Sequence, residues 1–318
     1  MGTSARIHAS RRDKADTRTQ RLAANAAKAR RILRRRIASH QFFRFSALCN
    51  SLNCTKVNSL FWMGMAAECF RIPSERLREE PFATVICYPR PSQAELQRRL
   101  KELQKLGVTA IEFSGQKQVL NMHVLGKGCV GLVIKAYLKS GEAVALKVRR
   151  VDADRAAMTR EAEMLKVANS VGVGPQLLGV SKNFLAMQFV DGSLLPEWIE
   201  KCWNETSLKG VLREILEQCW RLDRAGLDHG ELSHAPKHVI VDNQDKPVIV
   251  DFETTSLNRK PSNVTSIAQF LFISGLVAEK VNRKLGERDK KAIIEALRRY
   301  KADGSRQNFE KILKTCGL

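Results

Sequence analysis

A glycine-rich hexapeptide is the first feature of this 318-residue sequence that suggests a chemical role. Residues 126–131 read Gly-Lys-Gly-Cys-Val-Gly, and glycines without a Cβ allow backbone N–H groups to approach a phosphate closely. A Rossmann turn would require a helix directly after the glycines. The mainly apolar residues 132–137 are instead typical of a strand. The motif therefore predicts a strand–turn–strand hairpin, which either covers phosphates or is a plain tight turn.

A lysine and a glutamate further along the chain are the next candidates. Lys147 ends the apolar strand segment Val-Ala-Leu-Lys, and Glu161 falls in the apolar stripe of a predicted helix that also contains Met158 and Leu165. Glu163 projects to the opposite side of that helix. Because a carboxylate on a buried face needs a cationic partner, Glu161 is expected to pair with Lys147.

Two acidic motifs follow in the C-terminal half. Residues 228–233 read Asp-His-Gly-Glu-Leu-Ser, and residues 248–253 read Val-Ile-Val-Asp-Phe-Glu. Together with the glycine-rich hexapeptide, the strand lysine and the helix glutamate, they complete a series of five motifs.

The order of these motifs resembles a protein-kinase-like catalytic domain over about residues 119–256. The similarity is closest to the small, atypical RIO-like kinases of archaeal type. It implies an α+β fold with two lobes, in which a small strand-rich N-lobe precedes a reduced helical C-lobe. It also implies that ATP and Mg²⁺ are bound.

The resemblance assigns roles to particular residues. The catalytic residues would be Glu231, Lys147 and Glu161, and the metal ligands would be Asp251 and His238. The nucleotide would be bound by the glycine loop, its flanking residues, the strand lysine and the hinge: Leu125, Gly126, Lys127, Gly128, Gly131, Val133, Lys147, Gln188, Val190 and Asp191.

Several positions depart from the usual kinase pattern. Glu231 stands where kinases have aspartate, and Glu253 replaces the glycine of Asp-Phe-Gly. Alignment backwards from Asp251 puts His238 at the place of the metal-binding asparagine, in a loop that is two residues longer. Since imidazole is a poor ligand for Mg²⁺, Asp251 is expected to be the principal ligand. The 67 residues after Asp251 are too few for a full kinase C-lobe.

Three functions remain open at this point. The first is an ATP-dependent phosphotransferase, most simply a protein serine/threonine kinase with an unknown protein substrate. The second is a nucleotide-binding ATPase switch or pseudokinase that acts on RNA or ribonucleoprotein, suggested by the altered loop and by the basic N-terminus. The third is a small-molecule kinase.

The charge of +21 is concentrated at the N-terminus. Residues 1–67 contain 11 Arg and 3 Lys but only Asp13 and Asp16, and contribute +12. This composition predicts a basic arm, which is either disordered and in contact with RNA, or a mitochondrial or plastid transit segment. A start at Met63 or Met65 is a third interpretation. The protein is otherwise expected to be intracellular, soluble and cytoplasmic.

Three further regions and their elements follow from the sequence patterns. Residues 68–118 predict an extension with one helix and one short strand. Residues 119–190 predict the N-lobe, and residues 191–318 predict the C-lobe.

No apolar run approaches the roughly 18 residues needed to cross a bilayer. The eight cysteines lack metal-ligand spacing and are expected to be reduced core thiols. Predicted helices lie at 92–106, 154–170, 207–223, 264–282, 288–301 and 306–315, and predicted strands at 108–113, 119–135 (two strands around the glycine turn), 143–148, 184–190, 238–241 and 247–250.

Overall fold

The computed structural model describes residues 71–318 except Arg155, and these residues belong to one unit that begins at Ala67. Mixed α and β structure, with most strands before most helices, confirms the predicted α+β fold class. The strands are β1 Arg71–Pro73, β2 Val108–Glu112, β3 Lys117–Val119, β4 Met122–Val124, β5 Gly126–Lys127, β6 Gly131–Leu138, β7 Ala143–Arg149, β8 Leu177–Val180, β9 Phe184–Gln188, β10 Gly192–Leu194, β11 Val239–Asp242 and β12 Pro247–Ile249. The α-helices are α1 Phe82–Ile86, α2 Gln93–Lys105, α3 Ala157–Ser170, α4 Leu195–Lys201, α5 Glu205–Arg224, α6 Asn263–Ala268, α7 Leu276–Leu285, α8 Lys290–Ala302 and α9 Arg306–Thr315.

A seven-stranded antiparallel sheet forms the N-lobe. Its strands run in the order β1–β2–β6–β7–β9–β8, and β5 pairs with β6. Because side chains alternate along a strand, the cross-strand set Val133, Lys147 and Leu185 shares one face, which we term the cleft face. Leu132, Val148 and the other residues of the opposite face are buried in the apolar core of the N-lobe.

Helix α2 packs against that core and is fixed to the strand ends by a buried arginine. Ser92 caps the helix by accepting a hydrogen bond from the backbone N–H of Glu95. The side chain of Arg99 is inaccessible to solvent and donates to the backbone oxygens of Ile86 and Arg149, at 2.7 and 2.6 Å. Residues before the kinase-like motifs thus brace the end of β7, two residues beyond Lys147.

The C-lobe is built around α5, whose apolar side faces a second core. Asn204 caps this helix, and Leu212, Ile215 and Cys219 are fully buried. The short sheet β10–β11–β12 and helices α6 to α9 surround it. This helical half confirms the prediction that a reduced, mainly helical lobe follows the strands.

Two predicted elements differ in detail from the structure, and several observed elements were not predicted. The strand predicted before the glycine turn is divided into β3, β4 and β5, because Leu120 and Asn121 adopt positive φ and reverse the chain between β3 and β4. The helix predicted at 264–282 is α6 with a π-helical turn over 269–273, then a break at Ser274 and Gly275 before α7. Strands β1, β8 and β10 and helices α1 and α4 were not predicted.

Within residues 71–318, no single helix is long and apolar enough to cross a membrane. The stretches 263–273 and 276–285 pass that test only as a pair, with a bend of 66° between them. Their apolar residues Val264, Leu271 and Phe272 are buried in the core of the C-lobe.

The cysteine prediction holds for three of the five cysteines in the described residues. Cys87, Cys219 and Cys316 are buried free thiols, whereas Cys202 is partly exposed and Cys129 is exposed in the glycine-rich turn. The prediction of core thiols is therefore wrong for Cys129. Cys49, Cys54 and Cys69 lie outside the described residues, as do the arm at 1–67 and the start positions Met63 and Met65.

Candidate active site

Lys147 lies at the centre of a cluster of carboxylates. It projects from the cleft face, and its Nζ is 2.9 Å from Oε1 and 2.8 Å from Oε2 of Glu161 on α3. Lys147 is only 5% exposed and Glu161 only 3%. The predicted helical phase is confirmed, because Glu161 is buried with Met158 and Leu165 while Glu163 is exposed.

Two more carboxylates reach the same ammonium group from the C-lobe. Nζ of Lys147 donates to Oδ1 of Asp251 at 3.1 Å and to Oε2 of Glu253 at 2.9 Å. Lys147 therefore connects the sheet, helix α3 and the segment after β12. In the sequence Glu253 only marks a departure from the glycine of Asp-Phe-Gly, and no pattern there predicts its contact with Lys147.

The pKa values in this cluster reflect burial opposed by opposite charge. Burial raises the pKa of Glu161, and Lys147 only partly offsets that effect. Burial would lower the pKa of Lys147, but Glu161, Asp251 and Glu253 together raise it. For Asp251 burial acts upward, yet Lys147 holds the pKa of the carboxyl below its usual range. A protonated Lys147 beside an ionised Asp251 is the charge state expected near neutral pH.

Asp251 is held in an unusual backbone conformation. Its φ is +71°, a left-handed value that non-glycine residues seldom adopt and that costs on the order of 1–3 kcal/mol. The neighbouring Phe252 is buried in the core of the C-lobe, with its ring 5.4 Å from that of His229. Packing of Phe252 thus fixes the position from which Asp251 turns toward Lys147.

Glu231, His238 and Asp251 form a second constellation beside the lysine. Nε2 of His238 is 2.8 Å from Oε2 of Glu231, and Nδ1 is 3.8 Å from Oδ2 of Asp251. One ligand atom from each of the three side chains lies within 4.8 Å of the other two, a spacing that could hold a metal ion. Burial lowers the pKa of His238 more than the two carboxylates raise it, which favours a neutral imidazole.

The loop that carries Glu231 is shaped by Gly230. This glycine has a φ of +90°, and a Cβ at its position would lie 2.6 Å from a terminal nitrogen of Arg259. Arg259 in turn donates to the carboxylate of Asp228 at 2.8 Å, and Asn263 accepts the backbone N–H of His229 at 2.8 Å. The Asp-His-Gly-Glu motif is therefore held by the segment that follows Glu253.

The glycine-rich residues form the predicted hairpin. β5 pairs with β6, and the N–H of Gly128 donates to the oxygen of Gly131 at 2.8 Å to close the turn. A Cβ at Gly131 would lie 2.6 Å from the carbonyl oxygen of Val148, so this position requires glycine for the close approach of β6 to β7. A Cβ at Gly128 would meet nothing nearer than 3.7 Å, so packing does not account for that glycine.

The remaining predicted nucleotide contacts surround this hairpin and the cleft face. Leu125 directly precedes β5, Lys127 is exposed within it, and Val133 is paired with both Gly126 and Lys147. Gly126, Val133 and Lys147 are thus in register on the cleft face, whereas Lys127 is in register with Leu132 and belongs to the opposite face.

The predicted hinge is the link between β9 and β10. Val190 is partly exposed and Asp191 exposed. The backbone N–H of Gln188 donates to the oxygen of Gln176 at 2.8 Å, so a contact of Gln188 with a nucleotide would have to come from its other groups. An adenine bound at the hinge would have to contact other backbone groups of residues 188–190.

A cavity of about 460 Å³ lies away from these motifs. It contains none of the predicted site residues, and Lys284 stands 4.7 Å from the ring centre of the exposed Trp203 at its edge. Its lining comes from α4, α5, α7 and the link between the first two: Glu200, Cys202, Trp203, Asn204, Glu205, Leu208, Lys280, Arg283 and Lys284. The convergent charged groups at Lys147 make the cleft the stronger candidate for an active site.

A strand lysine paired with a helix glutamate and with the aspartate of Asp-Phe-Glu defines a protein-kinase-like domain. Residues 110–265 match the family model of the RIO domain. The resemblance to RIO-like kinases is thereby confirmed: over residues 110–265 the chain is similar to this atypical protein-kinase-like family. No curated protein matches the chain.

Proposed function

We propose that the chain is an ATP-dependent phosphotransferase that acts on serine or threonine hydroxyls of a protein. The observation that carries this proposal is the bridge from Glu161 through Lys147 to Asp251. Phosphoryl transfer depends mainly on positioning and charge neutralisation, and this bridge would align an ammonium group and a metal-binding carboxylate with the phosphates.

The residues present fit ATP. Gly128 leaves space for a close contact, because a Cβ there would meet nothing nearer than 3.7 Å, and Lys147 offers a positive charge on the cleft face. Asp251 is the proposed principal ligand of a divalent cation, which would neutralise phosphate charge when bound. Hinge contacts from Val190 and Asp191 to the nucleotide remain proposals.

Glu231 is proposed as the carboxylate that orients or deprotonates the acceptor hydroxyl. Its side chain is 38% exposed, so an acceptor can reach it, and Nε2 of His238 lies 2.8 Å from Oε2. A general base of this kind contributes roughly 10²–10⁴ in rate.

A second candidate is an ATPase switch, and one contact favours it. Nζ of Lys147 donates a hydrogen bond to Oε2 of Glu253 at 2.9 Å. The phosphates of a nucleotide would therefore have to displace this carboxylate in order to contact the ammonium group. Such an exchange would couple nucleotide binding to movement of the segment after β12. Contact with RNA or ribonucleoprotein through residues 1–67 remains part of this proposal, as does the targeting role of those residues.

The experiment that separates the two candidates follows the label of γ-labelled ATP over time. A kinase transfers label to a generic protein acceptor, whereas an ATPase switch releases it as free phosphate even when the acceptor is present. Asp251→Asn should abolish both outcomes, and His234→Asn, at an exposed histidine in the same loop, should change neither. Absence of both transfer and release in the folded wild type would refute the proposal.

A further inference from the structure

The side chain of His238 carries an unsatisfied ring nitrogen inside the candidate site. His238 is 1% exposed, and its Nδ1 is buried without a hydrogen-bond partner among the described residues. Leaving a buried polar atom unpaired costs about 1–3 kcal/mol. Nδ1 points toward Oδ2 of Asp251, at a distance of 3.8 Å.

The carboxylates of Asp251 and Glu231 lie near different nitrogens of the His238 ring. Oδ1 of Asp251 accepts from Lys147, which leaves Oδ2 on the side of His238. On the other side of the ring, Oε2 of Glu231 lies 2.8 Å from Nε2. A carboxylate at one ring nitrogen commonly fixes the tautomer of a histidine whose other nitrogen binds a metal.

The distances permit one ion between the two side chains. A cation held at about 2.1 Å by a ring nitrogen and by a carboxylate oxygen keeps those atoms within about 4.2 Å of each other. The distance of 3.8 Å between Nδ1 and Oδ2 meets that condition. Glu161, Glu231, Asp251 and Glu253 also outnumber the cations Lys147 and Lys237 around this cluster, so added positive charge is favoured.

We infer that His238 Nδ1 and Asp251 Oδ2 bind a first-row transition-metal ion, such as Mn²⁺ or Zn²⁺, in preference to Mg²⁺, with Glu231 orienting the imidazole. Imidazole nitrogen suits transition metals, whereas Mg²⁺ requires oxygen ligands. This inference deepens the proposed function and rests on it for the location of the nucleotide. The ion itself requires only the side chains named here.

The first test uses the full chain and Mn²⁺ alone, without nucleotide. Pulsed electron paramagnetic resonance should detect coupling between the bound Mn²⁺ and an imidazole nitrogen in the wild type. Absence of that coupling in the folded wild type overturns the inference, and this outcome needs no variant.

The second test compares His238→Asn, which restores the kinase-type oxygen ligand, with His234→Asn as the matched control. Dissociation constants for Mn²⁺ and Mg²⁺ are measured by competition. His238→Asn should lose the nitrogen coupling and lower the preference for Mn²⁺ over Mg²⁺ at least about tenfold, while His234→Asn keeps both. An unchanged preference in folded His238→Asn contradicts the inference.

A thermal shift with ATP separates this inference from the proposed function. If ATP with Mg²⁺ stabilises the protein but no nitrogen coupling appears, the metal inference fails and the phosphotransferase stands. If the coupling appears but ATP stabilises nothing with either metal, the proposed function fails and the metal site stands.

Discussion

The buried pair of Lys147 and Glu161 gives a prediction about stability that is separate from activity. Lys147→Met leaves Glu161, 3% exposed, without a cationic partner. Removal of one member of a buried ion pair costs about 3–5 kcal/mol. Glu161→Gln should cost less, about 1.5–3 kcal/mol, because Lys147 keeps Asp251 and Glu253 as partners.

The assay is equilibrium unfolding in urea, followed by circular dichroism. The matched control is Glu163→Gln, two positions along the same helix and exposed to solvent. Its unfolding free energy should equal that of the wild type. The deficit of Lys147→Met should also shrink from pH 8 to pH 5.5. An unpaired, buried Glu161 has a raised folded-state pKa, so its ionisation penalises the folded state as the pH rises above the unfolded value.

Two results would refute this reasoning. One is a Glu163→Gln variant as unstable as Glu161→Gln, which would mean that the helical phase is wrong. The other is a Lys147→Met variant within about 1 kcal/mol of the wild type at pH 8, which would mean that the pair is not buried as described.

Three further predictions concern ATP, Glu253 and acid stability. ATP with a divalent cation, at a hundredfold excess over its dissociation constant, should raise the unfolding free energy by about 2.7 kcal/mol, measured by thermal shift; no shift would count against ATP binding. Glu253→Gln should tighten ATP binding several-fold in a titration, because it removes a charged competitor for Lys147; weaker binding would indicate that Glu253 is a ligand instead. Burial acts to raise the pKa of Glu95, but Arg99 and Arg98 lower it to about 2, so its stabilisation is present above the ordinary pKa of a glutamate and is lost as the pH falls toward 2. Glu95→Gln should therefore be less stable than the wild type at pH 7 and should flatten the acid limb of the stability curve; an unchanged limb would contradict this.

The order of the motifs and the periodicity of apolar residues predicted those parts of the site that depend on a single helix, strand or loop. The apolar stripe placed Glu161 on the buried side of α3, and the strand pattern after Gly131 distinguished a hairpin from a Rossmann turn. Both inferences need only the repeat of one helix or one strand. Alignment backwards from Asp251 likewise brought His238 beside that carboxylate.

Features that depend on contacts between distant segments were not predictable in the same way. Glu253 and Lys147 are 106 positions apart, and no periodicity relates them. The positive φ of Asp251 and the packing of Arg259 against Gly230 arise from tertiary structure. The one available signal was an acidic residue in place of a glycine, close in sequence to a predicted partner of the lysine. The break before α7 was missed because apolar periodicity continues across it.

The most direct test of the central claim is phosphotransfer by Glu231→Gln, measured with γ-labelled ATP and a protein acceptor while ATP affinity is followed in parallel. Glutamine keeps the size of the side chain but removes its charge and its basicity. The proposed role predicts a loss of transfer of roughly 10²–10⁴ with ATP affinity close to that of the wild type. Full transfer by Glu231→Gln, alongside abolished transfer by Asp251→Asn, would contradict the assignment of Glu231 as the catalytic carboxylate.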